Sequence, residues 1–541
     1  MNVRPPLTAP RALQWALIAL AATALAGYVF FAVPKIVNTD SAAGILLAKE
    51  LVASGGFVRG DWAYVSDSLM LDGSVNAGKL GVLLFGATPA ALQFVAGVGA
   101  LFLLCVCHAL ARSLGASRWA ATASGFVLLL GPSLLYQDLM VSLPASYQTA
   151  LVLLFVLSAV RYGWQQGSNS WVLAGALGTW MLAASTPKKA LAYLVIPLVF
   201  AMLAPLLRAS SSGERSVSRR RLVGFSLVAV CAWLLGDLLH RYLSAGLAVN
   251  SSYARLQMTF DLQHAWANAR VVASLLLRYA GYGDTPMTAA WAMLSLTILV
   301  SAILLPLIGR RPASFLATDA GFVYAYAASG SAAILAYLLF YEKIHLWYGI
   351  YYGMIVIGPL ITVVASRSGA AFAAWRSRVG EALLCIALVL GSMQGLMAAH
   401  AIPGGYYGIS KNQKATSAER AIAVKWLLAH GATRGFAHLW DANAMTLVSE
   451  GKLQVSPVLF PRGNAIRRHK WLATIDRINY EPGLETWFIA IPVRHRVFRM
   501  PPACLPADIE AKVAAYNLYV YHQPKPGCLP KPLKTRVPSS R

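Results

Sequence analysis

Stretches of about 20 apolar residues, the length that crosses a bilayer as a helix, recur along the chain with short polar segments between them. They fall at 13–33, 91–111, 119–136, 141–160, 171–186, 189–207, 222–243, 287–308, 319–340, 346–366 and 380–399. The pattern predicts roughly eleven transmembrane helices. Ala24-Leu25-Ala26 has the small-residue form of a signal-peptidase site, but the run continues through Phe30, Phe31 and Val33 and reads as an uncleaved helix. Past residue 400 the pattern changes. SAERAIAVKWLLAH (417–430) has the period of a helix, Gly431 marks a turn, and KLQVSPVLF and TWFIAIPV read as strands. The predicted architecture is an all-α polytopic membrane domain over 1–400 and a soluble α+β domain over 401–541.

Composition agrees with the pattern. The 541 residues are 57% hydrophobic and 12% charged, where a soluble protein carries about 25% charged residues. A net charge of +25 would suggest a nucleic-acid partner in a soluble chain. Here much of it lies in short loops between apolar runs, where it sets orientation, so no nucleic acid is expected. With Arg4 and Arg11 inside, the next inside loops carry Arg112 and Arg118, then Arg161, then Arg208 through Arg221, then Arg310 and Arg311, then Arg367, Arg376 and Arg378. The outside segments hold most of the acids. Three of them are long: 34–90, 244–286 and the C-terminal tail. Within the first, 41–52 reads as a helix lying in the membrane interface. Cys504 and Cys528 both lie in the tail, and outside the cytoplasm they can form a disulfide.

Several residues are candidates for chemistry. Asp40, in NTDS just past the first span, is either a helix cap or a carboxylate held at the membrane surface. Asp138 lies in the short outside turn between the third and fourth runs, as a hydrated turn residue or a group facing a cavity. Two carboxylates beside a reactive hydroxyl can deprotonate it, orient it or hold a metal. Lys188 and Lys189 sit on the side disfavoured for cations, where an anionic phosphate is the natural partner and snorkelling to head groups the plain alternative. YEKIHLWYGIYYG places His345 and Tyr348 at the outside start of a span, as an aromatic belt or as sugar and phosphate donors. RGDWAYVSDSLMLDG supplies Asp61, Trp62, Asp67 and Asp72, an acid-plus-aromatic set suited to hydroxyl-rich ligands or simply a solvated loop. Arg255, Arg270 and Arg278 lie in the second outside segment.

A first span, an immediate outside Asp, a long first outside loop, a second acid in the next outside turn, many spans and a soluble tail together resemble the GT-C glycosyltransferases. The likeness is to bacterial members related to protein O-mannosyltransferases and to aminoarabinose transferases of lipid A. On that resemblance Asp40 matches the first-loop acid and Asp138 the second-loop acid. GTWMLAASTPKKALAYLVIPL is similar to the family's Thr-Lys-Gly-Pro segment, whose lysine faces a lipid phosphate; here it reads Thr186-Pro187-Lys188-Lys189, so both lysines are candidates. The family often has two adjacent acids in the first loop, whereas this chain has Asp40-Ser41.

The resemblance implies a multi-pass enzyme of the bacterial inner membrane, with its N-terminus cytoplasmic and its site and C-terminus periplasmic. It would move a sugar with inversion from a polyprenyl-phosphate carrier to a glycan, lipid or protein acceptor. Asp40 and Asp138 would be catalytic. Lys188, Lys189, Arg255 and Arg278 would meet the donor phosphate, and Asp61, Trp62, His345 and Tyr348 the substrate. No cofactor is expected, and a divalent metal is not favoured. A transporter or flippase for a lipid-linked sugar, and an oligosaccharide ligase or polymerase, are the alternatives.

Overall fold

The computed structural model describes residues 11–37, 39–65, 68–130, 143–207, 213–250, 258–279, 293, 318–340, 374–400, 416–460, 466–469, 472–493 and 500–529. The membrane part is helical. Its helices are α1 (Arg11–Gly27), α2 (Thr39–Ser54), α3 (Ser74–Phe85), α4 (Pro89–Ser113), α5 (Arg118–Leu129), α6 (Leu143–Ala159), α7 (Ser170–Ser185), α8 (Pro187–Ala190), α9 (Ile196–Leu207), α10 (Gly213–Ser244), α11 (Leu262–Tyr279), α12 (Asp319–Phe340) and α13 (Ala374–His400). Among the described residues, five stretches are long and apolar enough to cross a membrane: Arg11–Lys35, Pro89–Ser113, Ala145–Trp164, Arg220–Ser244 and Asp319–Phe340. The chain is a multi-pass membrane protein. The apolar runs at 287–308, apart from residue 293, and at 346–366 lie outside the described residues, and the others fall wholly or partly on helices.

Local chemistry sets the breaks. Thr186, ahead of Pro187, is forced out of helical geometry (φ −150°, ψ 82°), so α7 stops at Ser185 and a new helix starts with proline in its first turn. The lysine pair therefore rides on a fresh helix start and not on the end of a span. A π-helical turn at Leu191–Val195 then leads into α9. α10 lies tightly against α7, because a Cβ on Gly236 would stand 2.6 Å from Ala183 Cβ.

The segment after the first span is more ordered than its sequence suggested. It folds into α2, the short strand β1 (Ala63–Val65) and α3. The expectation of an interface-lying helix over 41–52 is corrected: the helix exists, but Ser41 through Ala48 are all buried. Its small residues allow close packing on α3, where a Cβ on Gly78 would meet Ala48 Cβ at 3.0 Å. β1 runs parallel to β2 (Ala248–Asn250), which follows α10.

Residues 416–529 carry α14 (Ser417–Ala429), α15 (Leu439–Val448), α16 (Ile475–Ile478) and a six-stranded sheet. The strands are β3 (Arg434–His438), β4 (Gln454–Leu459), β5 (Arg467–Arg468), β6 (Trp487–Pro492), β7 (Ile509–Val513) and β8 (Tyr516–Tyr521), in the order β5-β4-β3-β6-β8-β7. β3 is parallel to both β4 and β6, and the outer pairings are antiparallel. The sheet is therefore mixed, with α15 crossing between β3 and β4 as in a βαβ unit. Thr416 and Glu419 form a reciprocal capping box at the start of α14. Cys504 and Cys528 form a disulfide.

Candidate functional site

The first span ends in a π-helical turn (Tyr28–Ala32) and a 3-10 turn (Val33–Ile36), and Val37 then swings out to ψ 117°. α2 starts two residues later with Asp40 in its first turn, where the N-terminal amides favour a carboxylate. Val37 and Thr39 are buried, as is every residue from Ser41 to Ala48, while Asp40 is only half-buried. In this stretch the chain thus leaves one acid partly open among packed apolar and small groups.

The lysine pair lies beside the end of the loop that links α2 to α3. Leu69 N–H donates to Ser185 O (3.0 Å), which ties the loop to the α7–α8 junction. On the other flank Trp233 Nε1 donates to Pro187 O (3.0 Å), and His240 Nδ1 stands 3.0 Å from Ala184 O. Lys188 is exposed and Lys189 half-buried. Three residues beyond Leu69, Asp72 is 1% exposed. Its Oδ1 accepts from Ser74 Oγ (2.6 Å) and Ser74 N–H (3.2 Å), and its Oδ2 from Gln148 Nε2 (2.8 Å). Gly73, at φ 95°, makes the left-handed turn that points the chain into α3. Burial holds the Asp72 carboxyl above the usual carboxylate range, while its hydrogen bonds and the positive charge of Lys189 pull the other way. The two lysines are thus not equivalent: Lys189 acts on a buried acid, and Lys188 is the more open.

The remaining candidates divide. Asp61 is paired with Arg59, whose Nη2 donates to Asp61 Oδ2 at 2.9 Å, while Arg59 Nη1 meets Glu50 Oε2 at 2.7 Å. Trp62 is 1% exposed, in a bridge to Thr474. It is a packing residue here, not an open sugar platform, because β1 is covered by the C-terminal part. Arg278 falls in the last turn of α11. Asp67, Asp138, Arg255, His345 and Tyr348 lie outside the described residues.

The C-terminal part reaches the segment around Asp40. Arg420 of α14 is 1% exposed and donates through Nη1 to Val37 O (2.6 Å). Its Nε and Nη2 both donate to Asp441 Oδ1 (3.0 and 2.7 Å), which also accepts from Tyr516 Oη (2.9 Å). Burial works against the Arg420 charge, but Tyr516 and Asp441 outweigh it and hold the guanidinium firmly protonated. Thr39 Oγ1 donates to Leu439 O (2.7 Å). Little in the sequence marks these residues as neighbours of Asp40. The available signal was Arg420 standing on the same helical stripe as Ala423, Val424 and Leu427, all buried. In the sequence Asp72 is one of several loop acids; its Asp-Gly-Ser setting ahead of an apolar run is the cue to a turn that can be buried.

No protein-family model matches the sequence, and no curated protein matches it significantly. Solved structures do match. ArnT from Cupriavidus metallidurans, bound to undecaprenyl phosphate, superposes with a TM-score of 0.53 over 94% of this chain and 98% of its own, at 11% identity. The same protein in the apo state gives 0.54 with the same coverage and identity. This chain has the GT-C fold. At this level of identity the likeness concerns the path of the chain. The GT-C fold extends over nearly its whole length, including the part that carries the sheet.

Proposed function

We propose that the protein is a membrane glycosyltransferase that moves a sugar from a polyprenyl-phosphate carrier to a periplasmic acceptor, with inversion. The reading is carried by Asp40, the half-open carboxylate at the start of α2 in a run of otherwise buried residues. It is supported by the fold shared with a protein whose structure holds undecaprenyl phosphate. In this reading the acceptor hydroxyl attacks the anomeric carbon from the face opposite the phosphate. The new C–O bond forms as the bond to phosphate breaks, the leaving phosphate keeps the electron pair, and Asp40 takes the hydroxyl proton. Lys188 or Lys189, with Arg255 and Arg278, offsets the charge that gathers on the phosphate. Asp138 assists Asp40, and Asp61, His345 and Tyr348 meet the sugar or acceptor. The N-terminus faces the cytoplasm and the site faces the periplasm of a bacterial inner membrane. No metal is assigned to the reaction.

Asp40→Asn keeps size and removes the base. In membranes supplied with labelled lipid-linked sugar, the folded variant is expected to lose transfer by about a hundredfold or more. Unchanged transfer would sink the assignment of Asp40. A solute moving into sealed vesicles with no glycosidic product would favour a transporter.

A further inference from the structure

The C-terminal part does more than sit near the membrane domain. Arg420 and Leu439 each make a hydrogen bond to the short stretch just before Asp40, across sequence separations of 383 and 400 residues. Val37 O lies at the end of the 3-10 turn, where the chain has left the first span and α2 has not begun. Thr39 is the first residue of α2. Position and direction of the helix start, and so of Asp40, depend on where these residues are held.

The holding groups are themselves fixed. Arg420 has two donors on one Asp441 oxygen before its third nitrogen meets Val37, and the Tyr516 hydroxyl holds that oxygen from the sheet side. Such an arrangement presents the guanidinium in one geometry, with little side-chain entropy left to lose. Leu439 and Asp441 both lie in the first turn of α15, so one helix start supplies the acceptor for Thr39 and the carboxylate for Arg420. α15 also packs against α2, and just past its end a Cβ at Gly451 would stand 3.1 Å from Lys49 Nζ. Arg420, Asp441, Tyr516, Val37 and Thr39 are all buried, so the contact is sheltered from water.

We propose that this cluster is a clamp through which the C-terminal part positions Asp40 for catalysis. Thr39, Arg420, Asp441 and Tyr516 are positioning residues. They need touch no substrate, yet the rate of the chemical step depends on them, because a small displacement of a reacting group lowers rate steeply. The catalytic consequence rests on the proposed role of Asp40; the mechanical coupling does not.

The test uses the full-length protein in nanodiscs. Thr39→Val removes one clamp hydrogen bond with almost no change of shape, Tyr516→Phe loosens Asp441 from a distance, and Thr39→Ser restores the donor. Hydrogen–deuterium exchange is followed for peptides covering 36–48 and, as reference, 89–113. Thr39→Val and Tyr516→Phe are each expected to speed exchange in 36–48 by about tenfold, with 89–113 unchanged and Thr39→Ser close to wild type. Exchange in 36–48 that does not respond, or a rise equal in both segments, overturns the clamp. Consumption of undecaprenyl-phosphate mannose, glucose and aminoarabinose, added as donors to native membranes, gives the second readout. The expected result is a kcat about tenfold lower for Thr39→Val and Tyr516→Phe, with KM for the donor unchanged and Thr39→Ser restored. A rise in KM with kcat intact refutes the positioning role. If wild-type membranes consume none of these donors, the functional reading suffers while the exchange data still decide the clamp.

Discussion

Asp72 Oδ2 accepts a hydrogen bond from Gln148 Nε2 at 2.8 Å, joining the end of the loop between α2 and α3 to the first turns of α6. The carboxyl is buried, and burial raises its pKa in the folded protein. The sign follows directly. Below the unfolded value of about 3.9 the acid is protonated in both states and its contribution to stability is full. That contribution is lost as pH rises through the higher folded value, above which an ionised group is held out of water. Asp72→Asn is therefore expected to raise the melting temperature of the purified protein at pH 7, with the difference shrinking toward pH 4. A lower melting temperature at pH 7 would mean that the hydrogen bonds of the ionised form outweigh burial.

The two lysines should separate. Lys189 offsets the Asp72 charge, so Lys189→Ala is expected to lower the melting temperature at neutral pH, and Asp72→Asn should largely cancel that loss. Lys188→Ala is expected to leave stability within about 0.5 kcal/mol of wild type, as an exposed substitution does. It should weaken retention of undecaprenyl phosphate, measured by native mass spectrometry. Equal behaviour of the two variants in both assays would refute the division.

Burial pushes the His469 imidazole down to about 4. A base whose folded pKa lies below the unfolded value of about 6.5 gives its full stability above 6.5 and loses it as pH falls toward 4. The near-ultraviolet dichroism of the C-terminal aromatic cluster should report this, because Trp487 and Tyr521 stack there at 4.2 Å. His469→Phe is expected to flatten the pH dependence between 6.5 and 4. An equally steep loss in the variant would assign the transition to other groups.

The proposed orientation places the Cys504–Cys528 disulfide in the periplasm. In intact spheroplasts a membrane-impermeant maleimide is expected to label these cysteines only after an impermeant reductant. Labelling that requires detergent would reverse the orientation.

How much of this was legible from the sequence differs by element. Five of the predicted spans, near 13–33, 91–111, 141–160, 222–243 and 319–340, coincide with helices long and apolar enough to cross a membrane, because a 20-residue apolar run has few alternatives, and α14, β4 and β6 fall on the stretches whose periodicity marks them. The burial of α2 was not legible. Its alternation of small and large apolar residues fits an interface as well as a tight interior, and only the packing partners α3 and α15 decide. Asp40 could be singled out by its place just after a span. Arg420 could not be linked to it, because a hydrogen bond spanning 383 residues leaves no local signature beyond one cation on an apolar stripe. Trp62 misled for a related reason: acid and ring side by side describe a sugar platform, but whether the ring is open depends on the distant segment that covers it.

That covering segment has a mechanical consequence. β1 pairs with β2, and Ala63 also exchanges backbone hydrogen bonds with Ala473 and Leu472. Three stretches far apart in the chain are therefore sewn along one short seam. Peeling back the first loop would break hydrogen bonds to the second and to the sheet-bearing part together, which couples the displacement of any one of them to the other two.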